Sequence, residues 1–145
     1  MFDNLNIEDF RVSDVQGEDL MTLVDQHTGK GAIINDEYQI LERPRIDDAK
    51  NVNTHEFNFV DNGTRALVIK NDRRKAPLDQ VREIGFDGPC SVDYEHFQEL
   101  DTETWEVVFD WDSMDHVRLS ESTWLESSVE DRCNSHWDFL YAVPA

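Results

Sequence analysis

Five histidines are the side chains in this sequence best suited to nucleophilic or acid–base chemistry. A neutral imidazole carries a lone pair near neutral pH, so it can attack an electrophile or take up a proton. The five are spread along the chain, at His27, His55, His96, His116 and His136. No zinc spacing, nucleophile elbow or glycine-rich phosphate loop accompanies them. Residue type alone therefore favours a structural role for each histidine.

The acidic segment 110–121 partly matches the spacing of a calcium-binding loop. Its first and third residues are Asp110 and Asp112, and Glu121 occupies the twelfth position. The fifth position is Met114, which has no side-chain oxygen, and Asp115 stands where a glycine is expected at the sixth. The pattern favours a plain acidic loop, and the sequence predicts no metal ion and no cofactor.

The charge balance restricts the partners of this chain. Its 145 residues include 32 acidic and 13 basic side chains, which give a formal net charge of −19. Such a surface repels phosphate groups, so we expect neither nucleic-acid binding nor binding to anionic membranes. The basic cluster at 73–75, Arg73-Arg74-Lys75, invites a phosphate or sulfate site. The sequence favours a solvated loop tip between strands there.

The hydrophobic pattern predicts short strands joined by tight turns and almost no helix. The predicted strands are 21–25, 32–34, 38–41, 55–60, 65–70, 95–100 and 105–111. Turns are predicted at 35–36, 61–64 and 101–104, and the Asn-Gly pair at 62–63 is a strong hairpin signal. Residues 79–84 fit either a short helix or another strand. Residues 1–20 are ambiguous, and 1–14 fit a poorly ordered N-terminal segment.

One stripe of large side chains is expected to face the core. Trp105, Val107, Phe109 and Trp111 alternate along the last predicted strand. The whole pattern is typical of an all-β fold of antiparallel hairpins and meanders in one domain, 1–145. The pattern alone does not distinguish a propeller from a sandwich.

A series of segments resembles the fungal-type branch of the arylsulfotransferase family over roughly residues 15–139. The segments are VQGED at 15–19, NTHEF at 53–57, DNGTRAL at 61–67, GFDGPC at 85–90, FQELD at 97–101, VVFDWDSMDHV at 107–117, SEST at 120–123, DRCN at 131–134 and WDF at 137–139. Each segment alone is weak evidence, but so many in the same order make a strong resemblance.

The resemblance implies a β-propeller, of which this chain would form two to three blades. It also implies transfer of sulfate from a phenolic sulfate ester to an acceptor phenol, without a nucleotide sulfate donor. Histidines and an arginine stabilise the sulfuryl group in that reaction, since it carries spread negative charge. Of the residues here, only His55 lies on an active-site motif of the family. His116 lies on a family-like loop and is expected to hold that loop, while His27, His96 and His136 are expected at the surface.

The resemblance also predicts that the chain by itself does not transfer sulfate. Relatives continue past the WDF segment into a strand with a histidine, where this sequence has Tyr141. The nucleophilic histidine of the family would lie beyond Ala145. The sequence is therefore read as a truncated propeller whose open sheet edges predict self-association. The alternative is a non-catalytic β-propeller-like module that binds other proteins.

The two cysteines, Cys90 and Cys133, allow two interpretations. Two cysteines in a cytosolic protein are most often buried thiols. Both also lie in segments that match the family, in which secreted relatives could pair them, so an oxidising compartment would favour a disulfide. The N-terminal residues 1–6 lack the features of a secretory signal, and no apolar run approaches ~20 residues. The acidic surface and the cysteine pair suit secretion, so the sequence does not decide the compartment.

Overall fold

Strands dominate the fold. A computed structural model describes residues 7–25, 30–42, 52–121, 133 and 137–138. Its strands form two sheets in which sequential strands are hydrogen-bonded neighbours. The prediction of a mostly β fold built from hairpins is therefore confirmed.

The first sheet is a four-stranded antiparallel meander. Its strands, in order, are β1 (Ile7–Val15), β2 (Glu18–Asp25), β3 (Lys30–Ile34) and β4 (Ile40–Glu42). Gln16 and Gly17 join β1 to β2 and have φ of 56° and 87°, as a two-residue turn that follows the twist of its strands requires. The sequence assigned no element to this first segment, whereas β1 is nine residues long.

The turn between β3 and β4 is longer than the sequence predicted. The backbone amide of Tyr38 donates to the carbonyl of Asn35 at 3.0 Å, and the amide of Gln39 donates to the Asn35 side chain at 2.8 Å. Tyr38 has a φ of 60°, so it belongs to the turn. The predicted strand 38–41 is therefore wrong at its start, and β4 begins at Ile40.

The second sheet contains the strands β5 (Val52–Val60), β6 (Arg65–Lys75), β7 (Ser91–Asp101) and β8 (Val107–Asp112) in that order. A two-residue strand, β9 (Trp137–Asp138), pairs with β7 in parallel, so the sheet is not wholly antiparallel. The predicted hairpin turn joins β5 to β6, where Asn62 and Gly63 have φ of 55° and 85°.

The helical elements are short. α1 (Leu78–Glu83) resolves the ambiguity at 79–84 in favour of a helix, and it buries Val81. α2 (Ser113–His116) follows β8 directly, and the Asp112 carboxylate caps it by accepting from the amide of Met114 at 2.8 Å. Within the part of the chain that the structure describes, no helix is long and apolar enough to cross a membrane.

Contacts divide the chain into two compact units. The first contains Met1–Lys70 and Phe97–Trp111, and the second contains Asn71–His96 and Asp112–Ala145. In the first unit, the largest core cluster is formed by Val24, Ile33, Phe57, Ala66, Val68 and Leu100. The Thr22 hydroxyl lies within this unit and donates to the carbonyl of Phe57 at 2.7 Å, which joins β2 to β5.

The second unit has its own core. It consists of Ala76, Val81, Cys90, Val92, Tyr94, Leu119 and Cys133. Cys90 and Cys133 are bonded as a disulfide with their Cα atoms 4.4 Å apart. The bond therefore lies in this core and joins two segments that are 43 positions apart in the sequence.

The expected apolar stripe on the last long strand is partly wrong. Trp105 precedes β8 in a turn with φ of 60°, and its ring packs against Phe57 at 6.3 Å. Trp111 is half-buried beside Phe97 at 5.3 Å. Phe109, which was predicted to be buried, is exposed. β8 is the last strand of its sheet, so alternation along it does not ensure that either face is covered.

Candidate functional site

His55, the one residue predicted to bind sulfate, lies within β5. Its side chain is outside the part of the chain that the structure describes. The pairing of β5 with β6 shifts register between Val52 and Phe57, so His55 sits in an irregular part of the strand. Such bulges change the direction of side chains and are frequent beside functional sites. Phe57 fixes the strand immediately after this irregularity, because it is fully buried.

A group of interacting ionisable side chains lies in the second unit. We call it the Arg74 cluster; its members are Asp72, Arg74, Tyr94, His96 and Asp112. Nη2 of Arg74 donates to both carboxylate oxygens of Asp112, at 2.8 and 2.7 Å. Nε of Arg74 lies 3.0 Å from the Asp72 carboxylate. The guanidinium carbon also lies 5.2 Å from the centre of the Tyr94 ring, within cation–π range.

Strand periodicity brings these side chains together. Asp72 and Arg74 are two residues apart on β6, as are Tyr94 and His96 on β7, so each pair shares a face of its strand. Asp112 ends β8. Nε2 of His96 lies 3.7 Å from the Asp112 carboxylate, and the His96 side chain is 13% exposed. The prediction that His96 is a surface residue is therefore wrong.

Burial and hydrogen bonding shift the ionisation of three members of the cluster. Burial raises the pKa of Tyr94 from 10.0 to about 12, although the Arg74 cation opposes the shift. Burial alone would raise the pKa of Asp112. Hydrogen bonds from Arg74 and from the Met114 amide outweigh the effect of burial, so the pKa of Asp112 is lowered. Burial alone would lower the pKa of Arg74, and the bond to Asp112 raises it instead. The ion pair therefore stays charged throughout the neutral range.

The neighbouring Arg73 makes a second charged pair. Its Nε and Nη2 atoms donate to the two oxygens of Asp93 at 2.6 and 2.7 Å. Arg73 and Arg74 are both within β6. The prediction of a solvated loop tip at 73–75 is therefore wrong, because strand alternation places the two arginines toward different carboxylate partners.

Ion pairing extends to every arginine whose side chain the structure describes. The pairs are Arg11–Glu56, Arg65–Asp101, Arg65–Glu99, Arg73–Asp93, Arg74–Asp72, Arg74–Asp112, Arg82–Asp87, Arg118–Asp79 and Arg118–Glu83. A guanidinium that already neutralises a carboxylate attracts a further anion weakly. These arginines hold the fold together, and none of them is poised to receive a sulfate group.

The acidic segment 110–121, which begins within β8, uses carboxylate oxygens for contacts inside the protein. Asp110 accepts from the Gln98 amide at 3.3 Å, Asp112 binds Arg74, and Glu121 accepts from the amide of Arg118 at 2.8 Å. Among the residues described, no group of three or more potential ligands could hold a metal ion. His116 is the last residue of α2 and is exposed. His27 and His136 are outside the described residues.

A cavity in the first unit also has an acidic lining. It encloses about 510 Å³ beside the turn between β1 and β2, and its lining includes Glu18, Asp19, Asp36 and Glu37. Four carboxylates repel a sulfate ester. This cavity is therefore unsuited to the anionic substrate that the sequence predicted.

No family model, curated protein or solved structure matches this chain.

Proposed function

We propose that this chain is an arylsulfotransferase-like protein whose two sheets are blades of a β-propeller, and that His55 helps to bind a phenolic sulfate ester. The observation that carries the proposal is the topology. Two sheets follow one another along the chain, and each contains four consecutive strands that are neighbours in sequence order, with the short β9 added beside β7 in the second sheet. A propeller repeats this unit around a central channel. The choice of family depends on the resemblance of the sequence segments to arylsulfotransferases.

The place of His55 in its sheet agrees with a role at such a channel. β5 is the first strand of the second sheet, and β8 is the last. In a blade, one edge strand lines the channel and the other lies at the rim. The exposure of β8 suits the rim, which leaves β5 for the channel. The register of β5 against β6 shifts between Val52 and Phe57, the stretch that contains His55, and such irregularities are frequent beside functional sites.

The placement of charges favours binding of an aryl sulfate ester without transfer of its sulfuryl group. A sulfuryl group in transit needs several cationic or hydrogen-bond donor groups that converge on its oxygens. His55 is the only residue here that matches an active-site position of the family, and the described arginines are ion-paired with carboxylates. Loss of members of a catalytic group that acts as a unit typically costs ~10⁴–10⁶ in rate. We therefore expect the chain to bind aryl sulfates weakly and to leave them intact.

Ligand-observed saturation-transfer NMR with 4-nitrophenyl sulfate tests this proposal. We expect transfer of saturation to the ester by the wild-type chain, and a loss of at least about fivefold in affinity for His55→Ala, since one charge-assisted contact is removed. His116→Ala is the matched control, because His116 is an exposed histidine that belongs to α2 and not to β5. Release of 4-nitrophenol in the presence of 1-naphthol reports transfer. Equal binding by His55→Ala and wild type, or no binding by either, would refute the role of His55.

A non-catalytic interaction module is the second candidate. The observation that favours it is the exposure of three consecutive large apolar side chains, Val107, Val108 and Phe109, on β8. Exposed apolar patches of this kind commonly mark protein-binding surfaces. This function does not require His55 to contact any ligand.

A further inference from the structure

The turn between β5 and β6 contains a sequence motif for covalent modification. Asn62, Gly63 and Thr64 form an Asn-X-Thr triplet, in which asparagine is an acceptor for an N-linked glycan when the middle residue is not proline. It is the one triplet of the type Asn-X-Ser/Thr in the sequence of 145 residues. Asn62 is also exposed, as a glycan on a folded protein requires.

The backbone places Asn62 at the tip of the hairpin. Asp61, Asn62 and Gly63 have φ of 49°, 55° and 85°, so the chain reverses its direction within these three residues. Val60 and Arg65 on either side of them are paired across the hairpin. Turns of this kind lie at the surface, and Asp61 is exposed together with Asn62. A bulky group attached to the Asn62 side chain would therefore extend into solvent.

One hydrogen bond fixes the direction of the Asn62 amide. The backbone amide of Gln16 donates to Oδ1 of Asn62 at 3.0 Å. Because an N–H group requires an acceptor, the atom beside Gln16 is the oxygen, and Nδ2 lies on the other side of the amide. Within the residues that the structure describes, Nδ2 makes no hydrogen bond. A glycan bonds to Nδ2 and leaves the amide oxygen in place, so the contact with Gln16 is compatible with it.

The disulfide supports the same cellular route independently. Cys90 and Cys133 are bonded to each other and buried. Disulfides form and persist in oxidising compartments, which include the lumen of the endoplasmic reticulum. N-linked glycans are added to proteins in that lumen. The glycan acceptor and the disulfide, which lie in different parts of the sequence, therefore indicate one compartment.

We propose that Asn62 carries an N-linked glycan, added as the chain enters the secretory pathway. Nδ2 of Asn62 attacks the anomeric carbon of an oligosaccharide that is linked to a lipid pyrophosphate. The new carbon–nitrogen bond replaces the bond from that carbon to the pyrophosphate oxygen. Nδ2 gives up one proton, and the lipid pyrophosphate leaves. The proposal is independent of ester binding, because neither the triplet nor the disulfide includes His55.

The Thr64 hydroxyl has one role before folding and another after it. The transferase recognises this hydroxyl while the chain is still unfolded. In the folded protein, Oγ1 of Thr64 donates to the carbonyl of Asp61 at 2.9 Å. Serine supplies the same hydroxyl, whereas alanine removes it, so substitutions at this position separate modified from unmodified chains.

Mass spectrometry of the full chain, secreted from a eukaryotic host behind a cleavable leader, tests the proposal. We expect a glycan that peptide N-glycosidase removes, with conversion of asparagine to aspartate at position 62 and at no other asparagine. Thr64→Ser should keep the glycan, whereas Thr64→Ala should lower its occupancy at least about tenfold.

Asn62→Asp keeps the test decisive if Thr64→Ala fails to fold. Its carboxylate oxygen can still accept from the Gln16 amide, but it has no nitrogen to which a sugar could bond, so we expect no glycan. Asn35→Asp is the matched control. The Asn35 side chain also accepts from a backbone amide in a turn, at 2.8 Å, but Glu37 stands two positions later where the motif needs a hydroxyl. This variant should keep its glycan.

Three results would overturn the proposal. The first is a secreted wild-type chain without a glycan. The second is a glycan that remains on Asn62→Asp, since another residue would then be the acceptor. The third is an unmodified Asn62 in the chain isolated from the cells that produce it naturally.

Discussion

Nη2 of Arg74 donates to both carboxylate oxygens of Asp112, at 2.8 and 2.7 Å, although the two residues are 38 positions apart in the sequence. Arg74 lies on β6 and Asp112 on β8, so the pair reaches across β7. The guanidinium carbon of Arg74 lies 5.2 Å from the centre of the ring of Tyr94, which is on β7. One side chain thus links three neighbouring strands of the sheet.

Asp112→Asn should destabilise the fold, because it leaves Arg74 charged and without its principal partner. Both side chains are largely shielded from solvent, since Arg74 is 33% exposed and Asp112 is 15% exposed. Hydrogen bonds to charged groups typically contribute about 1.5–3 kcal/mol, and we expect a loss of that order in the free energy of unfolding. Urea denaturation followed by tryptophan fluorescence provides the measurement.

Asp87→Asn is the matched control for that substitution. Asp87 pairs with Arg82 at 3.0 Å, but the two side chains are 82% and 65% exposed. Exposed ion pairs contribute only about 0–1 kcal/mol. Equal losses for Asp87→Asn and Asp112→Asn would contradict the importance that the structure gives to the Arg74 cluster.

Tyr94→Phe should change how the free energy of unfolding depends on pH in alkaline solution. The pKa of Tyr94 is raised from 10.0 to about 12 in the folded chain. The folded state therefore holds the phenolic proton more tightly than the unfolded state. The resulting stabilisation is complete below about pH 10 and is lost as the pH rises through about 12.

The phenylalanine variant lacks this proton but keeps the aromatic ring beneath Arg74. Between about pH 9 and about pH 12 we expect wild type to lose more unfolding free energy than the variant, by an amount on the order of 2 kcal/mol. Parallel urea titrations across that range provide the comparison. Identical pH profiles for the two chains would show that burial does not hold the phenol in its neutral form.

Local signals in the sequence were sufficient for most of the strands and turns. Asn62 and Gly63 predicted the turn between β5 and β6 correctly, because both residues adopt positive φ at low cost. Alternation predicted the buried Phe57 as part of a strand. These features depend on neighbouring residues alone, so a single sequence contains the necessary information.

Contacts between residues that are far apart in the sequence could not be predicted from local signals. The contacts of Arg74 with Asp112 and His96 depend on the order and register of three strands, and no local pattern specifies these. The exposure of Phe109 was missed for a related reason. Alternation shows which side chains share a face of a strand, but not whether another layer covers that face.

Removal of the disulfide should destabilise the chain through its effect on the unfolded state. Cys90 and Cys133 are 43 positions apart, and both are buried in the core of the second unit. Closing a loop of this length typically stabilises a fold by about 2–4 kcal/mol. We expect the Cys90→Ala/Cys133→Ala variant to lose stability of that order in urea denaturation.

Reduction provides an independent check on the same bond. Dithiothreitol should shift the unfolding midpoint of the wild-type chain toward that of the double variant and should leave the double variant itself unchanged. If the reductant shifted neither midpoint, or shifted both equally, the two cysteines would not be bonded in the folded protein in solution.

Gly63→Ala should cost more stability than Gly17→Ala, although both glycines require the same backbone conformation. Their φ values are +85° and +87°, so alanine at either position carries the left-handed penalty of about 1–2 kcal/mol. A Cβ atom at Gly17 would meet open space, whereas one at Gly63 would collide with the side chain of Val15 on β1. Overpacking of this kind typically adds about 1–3 kcal/mol. Urea denaturation of the two variants measures the difference, and Val15→Ala in the Gly63→Ala background should restore the added part. If the two glycine variants were equally stable, or if Val15→Ala gave no rescue, β1 would not pack against this turn.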